Sequence, residues 1–94
     1  MPWTVRVEDE KGEPEGEFFV IVEFGSLPTG TRFPISGLIQ HAPYYDTVLN
    51  PVQTEALINE LSLAAIESGT VHSPLLEIAK RALEPHVYLR FIGD

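Results

Sequence analysis

An acidic stretch separates two strand-like segments near the start of the chain. The ten residues Glu8–Glu17 hold six carboxylates and one lysine, a local charge of −5 within a net charge of −8. Trp3–Val7 alternates apolar and polar residues, as in a half-buried strand, and Phe18–Phe24 is almost entirely apolar. Glycines and a proline interrupt the stretch, as in a hairpin loop. We therefore predict an antiparallel start to the sheet, with Phe18–Phe24 as a central strand covered on both faces.

Two helices and a final strand are predicted in the second half. Asn50–Gln53 has the residue types of a capping box with a first-turn proline, so a helix should run to Ser68 and stop at Gly69. Ser73-Pro74 repeats the cap-then-proline start, and the second helix should end before Pro85. Apolar residues then alternate with polar ones over 86–91, which indicates a strand that pairs beside the first or the second one.

The order β-β-(irregular)-α-α-β predicts one α+β domain over residues 1–94. Its mainly antiparallel sheet should have three to four strands, with two helices on one face. Glycines and prolines prevent any long element in residues 25–50. The segment could still contain short strands at Thr31–Phe33 and Tyr44–Leu49 and a helical turn at Leu38–His41. Such a long irregular link is often functional.

Composition excludes several classes of function. The chain has no cysteine, so thiolate metal sites and cysteine nucleophiles are excluded. No apolar run reaches the roughly 18 residues of a membrane span, and the N-terminus does not resemble a secretory signal. The six Lys and Arg residues are scattered, whereas nucleic-acid binders cluster them. We expect a cytoplasmic protein with no membrane contact and no direct contact to nucleic acid.

Candidate chemistry is sparse, and no cofactor or metal is expected. Gly25–Arg32 has the G-x-x-x-x-G outline of a phosphate loop, but Thr31 replaces the lysine and Phe33-Pro34 stands where the anion-binding helix should begin. The acidic stretch lacks the ligand spacing of an EF-hand. A small enzyme remains an alternative, with a histidine–carboxylate site drawn from residues distant in sequence. Its candidate residues are His41, Asp46, His72 and His86.

The leading hypothesis is a non-enzymatic, acidic protein-binding module, such as an inhibitor or immunity-type partner of a basic or mixed-charge protein. Concentrated negative charge raises the association rate with basic partners, although the same stretch could be a solvated loop. Tyr44 and Tyr45 are of the residue types enriched at binding hot spots. The steering residues are Glu8, Asp9, Glu10, Glu13, Glu15 and Glu17.

A second apolar stripe on the first predicted helix provides another alternative. One stripe of the helix should pack on the sheet, and the other should meet the second helix, the irregular segment or another chain, because exposed apolar patches are uncommon on monomers. The second helix is the first expectation, and a second copy of the chain is the next. A homo-oligomeric structural subunit is thus a third hypothesis. The residues of the second stripe are Val52, Ala56, Leu63 and Ile66.

The pattern Leu49-Asn50-x-x-Gln53-x-x-x-Leu57-x-x-Glu60-Leu61, followed by Phe91-Ile92-Gly93-Asp94, resembles small uncharacterised bacterial proteins. The resemblance covers about the last half of the chain, and its motifs are mostly capping and core residues. It implies a bacterial or phage origin, and it carries no activity or site to this chain.

Overall fold

The computed structural model of the chain describes residues 2–41 and 45–93. These residues form four strands and three helices, which confirms the predicted α+β class. The elements in chain order are β1 Trp3–Asp9, β2 Pro14–Val22, α1 Pro34–His41, β3 Thr47–Leu49, α2 Pro51–Ser68, α3 Ser73–Arg81 and β4 Val87–Ile92.

The sheet is antiparallel throughout, in the order β2-β1-β4-β3. The last strand lies between β1 and β3, so its alternative place beside the second strand is excluded. The prediction of a central, doubly covered strand at Phe18–Phe24 is wrong. Residues 18–22 of that segment belong to β2 at the edge of the sheet, where only Val20 and Val22 of the strand are buried. Apolar composition alone cannot distinguish an edge strand from a central one, because the difference depends on pairing partners elsewhere in the chain.

The acidic stretch is mostly strand and not loop. β1 continues through Asp9 and β2 begins at Pro14, which leaves a turn of four residues. The Asp9 carboxylate accepts hydrogen bonds from the backbone N–H of Lys11 at 2.8 Å and of Glu13 at 3.0 Å. Gly12 has φ +80°, a left-handed conformation that glycine adopts without strain. Asp9 therefore holds this turn in its shape.

Helices α2 and α3 pack on one face of the sheet, as expected. The predicted capping box is present: the Asn50 side chain accepts from Gln53 N, and the Gln53 side chain accepts from Asn50 N. Gly69 ends α2 in the left-handed conformation. The cap of α3, in contrast, is His72 and not Ser73, and it makes no side-chain capping bond. The core between helices and sheet includes Val5, Leu57, Leu61, Ile78, Leu89 and Phe91.

The middle segment contains more structure than the sequence indicated. Instead of a helical turn at Leu38–His41, a helix starts at Pro34, while 31–33 forms a turn and not a strand. Proline is tolerated here because the first helical N–H groups have no intrahelical partner. The buried carboxylate of Glu60, on α2, accepts from Ile35 N and Ser36 N, both at 2.9 Å. A carboxylate of the chain itself thus occupies the helix start that a phosphate loop would use.

Among the described residues, no helix combines the length and apolar character needed to cross a membrane.

Candidate protein-interaction surface

One face of the sheet packs against the helices, and the opposite one, here called the open face, remains exposed. Strand register places its side chains in rows. One row crosses all four strands as Phe19, Arg6, Arg90 and Val48, and the next is formed by Ile21, Thr4 and Ile92. Phe19 is 58% exposed and Ile21 50% exposed. Large apolar side chains on an uncovered sheet face are typical of a surface that meets a partner.

A network of four charged residues lies at the centre of the open face. Glu8 accepts from Arg6 Nε at 2.6 Å and from Arg90 Nε at 2.7 Å, one carboxylate oxygen for each guanidinium. Arg90 Nη1 also donates to Asp46 Oδ2 at 3.0 Å. Two cations and two anions thus balance within the network. The open face therefore combines exposed apolar groups at its borders with a locally neutral polar centre.

The two carboxylates also stabilise the charged form of Arg90. The hydrogen bond to Glu8 raises the pKa of the Arg90 guanidinium above its ordinary value, partial burial opposes this shift, and the bond to Asp46 reinforces it. An arginine is charged at every pH that a cell reaches even without this shift, so the network does not lose its cation by titration.

The structure separates the six predicted steering carboxylates into different environments. Glu8 is 1% exposed, so the expectation that all six face solvent is wrong for this residue. The alternation of β1 places the Glu8 side chain on the open face, between the two arginines. A Cβ atom added at Gly12 would lie 4.0 Å from Glu8 Oε1. Asp9 is half-buried and holds the turn. The remaining four are exposed and are here called the acidic hairpin: Glu10, Glu13, Glu15 and Glu17.

Only one of the two predicted aromatic anchors lies in the described part of the chain. Tyr45 is 73% exposed, just before the Asp46 that reaches Arg90. Tyr44 lies outside the described residues. Sequence reasoning missed Phe19 and Ile21 as candidates for partner contact, because it assigned their strand to the centre of the sheet. The acidic residues within β2 were a usable signal, since charged residues are one way in which edge strands are protected.

The second apolar stripe of α2 is not covered by α3. Val52 is 79% exposed and Ile66 82% exposed, while Ala56 and Leu63 are half-buried. The first expectation for this stripe, contact with the second helix, is therefore wrong at both ends. Val52 and Ile66 are fourteen residues apart, about 21 Å along the helix. The dimer hypothesis for these four residues stays a prediction.

The histidines make separate contacts. His72 Nε2 lies 2.8 Å from the carbonyl oxygen of Ser26, and His86 Nδ1 lies 3.2 Å from Glu10 Oε2 on an exposed turn. His41 is exposed at the end of α1, and Asp46 is engaged by Arg90. Within the described residues, no group of three or more histidines and carboxylates is arranged to hold a metal ion. None of these contacts joins His41, Asp46, His72 and His86 to one another, and the enzyme alternative stays a prediction.

Comparisons with protein-family models, curated proteins and solved structures found no match to this chain. The bacterial resemblance therefore stays a prediction, and function has to be inferred from the geometry of the molecule.

Proposed function

We propose that this chain is a protein-binding module that docks through the open face and attracts a basic or mixed-charge partner with the acidic hairpin. The observation that carries the proposal is the open face itself: a four-stranded sheet surface with exposed Phe19, Ile21 and Val48 around a neutral ion-pair network. Aromatic anchors beside desolvated polar groups are the usual basis of binding energy at interfaces.

The acidic hairpin places negative charge beside the apolar residues of the open face. Glu15 and Glu17 belong to the same strand as Phe19 and Ile21, so negative charge is adjacent to the apolar row. Exposed charges of one sign mainly increase the association rate and contribute less to the final affinity. The hairpin would therefore guide a basic partner, and the apolar residues of the open face would hold it. Because Arg6 and Arg90 are engaged by carboxylates, the face offers no free cation pair to a phosphate backbone, and we do not propose nucleic acid as a partner.

We propose that the module acts in the cytoplasm as an inhibitor or immunity-type partner of the protein that it binds. A small module with negative charge beside an apolar surface can cover a basic functional site on another protein, because complementary potentials favour that encounter over others.

The proposal is tested by affinity capture from the native host with matched double variants. Wild-type chain, Phe19→Ser/Ile21→Ser and Val52→Ser/Ile66→Ser are immobilised, and captured proteins are identified by mass spectrometry. We expect a basic protein to be retained by the wild type and the α2 variant and lost with the open-face variant. Truncation of hot-spot residues costs about 2 kcal/mol, so its affinity should fall roughly 30-fold.

Kinetic measurements on that protein separate steering from anchoring. Reversal of the acidic hairpin with four Glu→Lys substitutions should slow association and flatten its salt dependence, with a smaller effect on dissociation. Glu8 is left unchanged in this variant because it is buried between Arg6 and Arg90. Equal capture by all the variants would contradict the proposal, provided that each variant unfolds cooperatively in urea.

The exposed ends of the α2 stripe favour a second candidate, a homo-oligomeric subunit. Sedimentation equilibrium distinguishes it from a monomeric binder: a dimer that Val52→Ser/Ile66→Ser converts to monomer would support it, and a wild-type monomer at all concentrations would reject it.

A further inference from the structure

The outer edge of β2 is a long strand edge that the described residues leave unpaired. β2 lies at one end of the order β2-β1-β4-β3 and is nine residues long. Edge strands expose unpaired backbone N–H and C=O groups, and proteins usually protect them with proline, charge or short length. Pro14, Glu15 and Glu17 protect only the first half of β2. The second half, Phe18–Val22, contains neither a charge nor a proline.

A cleft opens beside this unprotected half. It lies between β2 and the start of α3, has a volume of about 200 Å³, and is lined in part by Val20, Val22, Val71, Pro74 and Leu75. This volume is below the roughly 300 Å³ at which small-molecule pockets begin, so the cleft suits one side chain better than a whole ligand.

The walls of the cleft are fixed at both ends. The contact of 2.8 Å between His72 Nε2 and the carbonyl oxygen of Ser26 joins the segment before α3 to the loop after β2. Nearer the middle of the strand, the Arg81 guanidinium lies 4.1 Å from the ring centroid of Phe18 and covers the helix side there. The cleft therefore lies between these two contacts, beside Val20 and Val22 of β2.

From these features we propose that β2 accepts an extended segment of the partner as a fifth, antiparallel strand, with one apolar side chain in the cleft. The inference rests on the proposed function and specifies how the partner engages. Strand addition obtains affinity from backbone hydrogen bonds and specificity from pockets for alternate side chains. β2 supplies both the free edge and the pocket.

Charge and strand direction determine the pattern of the incoming segment. Phe19 and Ile21 lie on the open-face side of β2, and the acidic Glu15 and Glu17 precede them along the strand, where a register shift and the positive φ of Gly16 interrupt the regular alternation. An antiparallel partner therefore presents apolar residues first, opposite Ile21 and Phe19, and basic residues afterwards, opposite Glu17 and Glu15. A second copy of this chain fits less well, because antiparallel pairing of two fully overlapping β2 strands leaves both glutamates opposite apolar residues, and each copy has a charge of −8.

Two synthetic peptides of identical composition test this pattern. The forward peptide is Leu-Val-Thr-Val-Thr-Lys-Thr-Lys, with its leucine opposite Val22, and the reversed peptide has the opposite order. Both are labelled, and binding is followed by fluorescence anisotropy and by amide chemical shifts. We expect the forward peptide to bind at least about tenfold more tightly, with the largest shifts in β2, since one tenfold step corresponds to the gain of only a few cross-strand pairs. Equal binding of the two peptides would overturn the proposal.

Val71→Arg obstructs the cleft with a charged side chain, and Ile66→Arg is its control on the exposed surface of α2. We expect Val71→Arg to lower forward-peptide affinity at least about tenfold and Ile66→Arg to leave it within about twofold. A captured partner that is lost with Phe19→Ser/Ile21→Ser but retained by Val71→Arg would overturn strand addition and leave the proposed function standing. If the wild-type chain forms a dimer that Val71→Arg abolishes, the edge of β2 pairs with a second copy of the chain. That result would also overturn the proposal of strand addition by a partner.

Discussion

At the scale of single residues, the environment of Glu8 differs most from its neighbours in the acidic stretch. Its side chain is enclosed between Arg6 and Arg90, and each carboxylate oxygen accepts one charge-assisted hydrogen bond. Both arginines keep partial contact with solvent. This ion-pair network stabilises the fold only while the Glu8 carboxylate and the two arginines are all present, because an unpaired buried charge is costly.

Glu8→Gln should lower the free energy of unfolding by about 2–3 kcal/mol, the value typical of hydrogen bonds to charged groups. We expect less than the ~3–5 kcal/mol seen when fully buried ion pairs are broken, because the arginines remain partly hydrated. Urea unfolding at pH 7 measures the change. Glu17→Gln, on the exposed part of β2, is the control and should stay within about 0.5 kcal/mol. Equal effects of the two substitutions would show that the network does not contribute to stability.

The sequence could predict the face on which Glu8 lies but not its partner. The alternation that starts at Trp3 continues to Glu8, so extending the strand by one residue would have placed Thr4, Arg6 and Glu8 together. Arg90 is 82 residues away in sequence, and its pairing with β1 depends on the register of β4. The six carboxylates of the acidic stretch look equivalent in the sequence, whereas the fold buries Glu8 and uses Asp9 to hold a turn.

At the scale of elements, the most accurate predictions concerned local signals. Both ends of α2 were predicted correctly because Asn50, Gln53 and Gly69 act on the nearest backbone groups. The edge position of β2 and the length of α1 were not predicted. The first depends on the distant strand that pairs with β1, and the second depends on Glu60 of another helix satisfying the N–H groups of α1.

Two Gly→Ala substitutions should change stability in opposite directions. Gly69 has φ +74°, so a side chain there is strained, although a Cβ would meet no atom within 4 Å. Gly37 lies inside α1 with equally open surroundings. We expect Gly69→Ala to destabilise by about 1 kcal/mol and Gly37→Ala to stabilise by up to about 1 kcal/mol. Thermal and urea unfolding of both variants provide the measurement. Changes of the same sign would show that backbone conformation does not decide the effect of a methyl group at these two positions.

At the scale of the whole molecule, charge opposes the association that the exposed apolar surfaces favour. The chain has a net charge of −8 at pH 7 and a calculated isoelectric point near 4.7. Repulsion between copies should weaken as the carboxylates are protonated on lowering the pH. We expect Phe19, Ile21, Val52 and Ile66, which are exposed, to form contacts between copies under these conditions.

Light scattering should therefore rise to a maximum near pH 4.7, because the mean charge is smallest there. Phe19→Ser/Ile21→Ser should reduce the maximum, and so should Val52→Ser/Ile66→Ser, in proportion to the apolar surface that each removes. Far-ultraviolet circular dichroism recorded in parallel distinguishes association of folded chains from acid unfolding. A flat scattering profile with a native spectrum would show that these surfaces do not attract one another.

The position of β4 between β1 and β3 has a consequence for the time course of folding. Val87–Ile92 is synthesised after every other element, yet it joins the first hairpin to the short third strand. During translation the helices can already pack on the β1–β2 hairpin, because α3 contacts both strands, but the strand that joins β1 to β3 is still missing. We expect the complete four-stranded sheet to form only after this segment has left the ribosome.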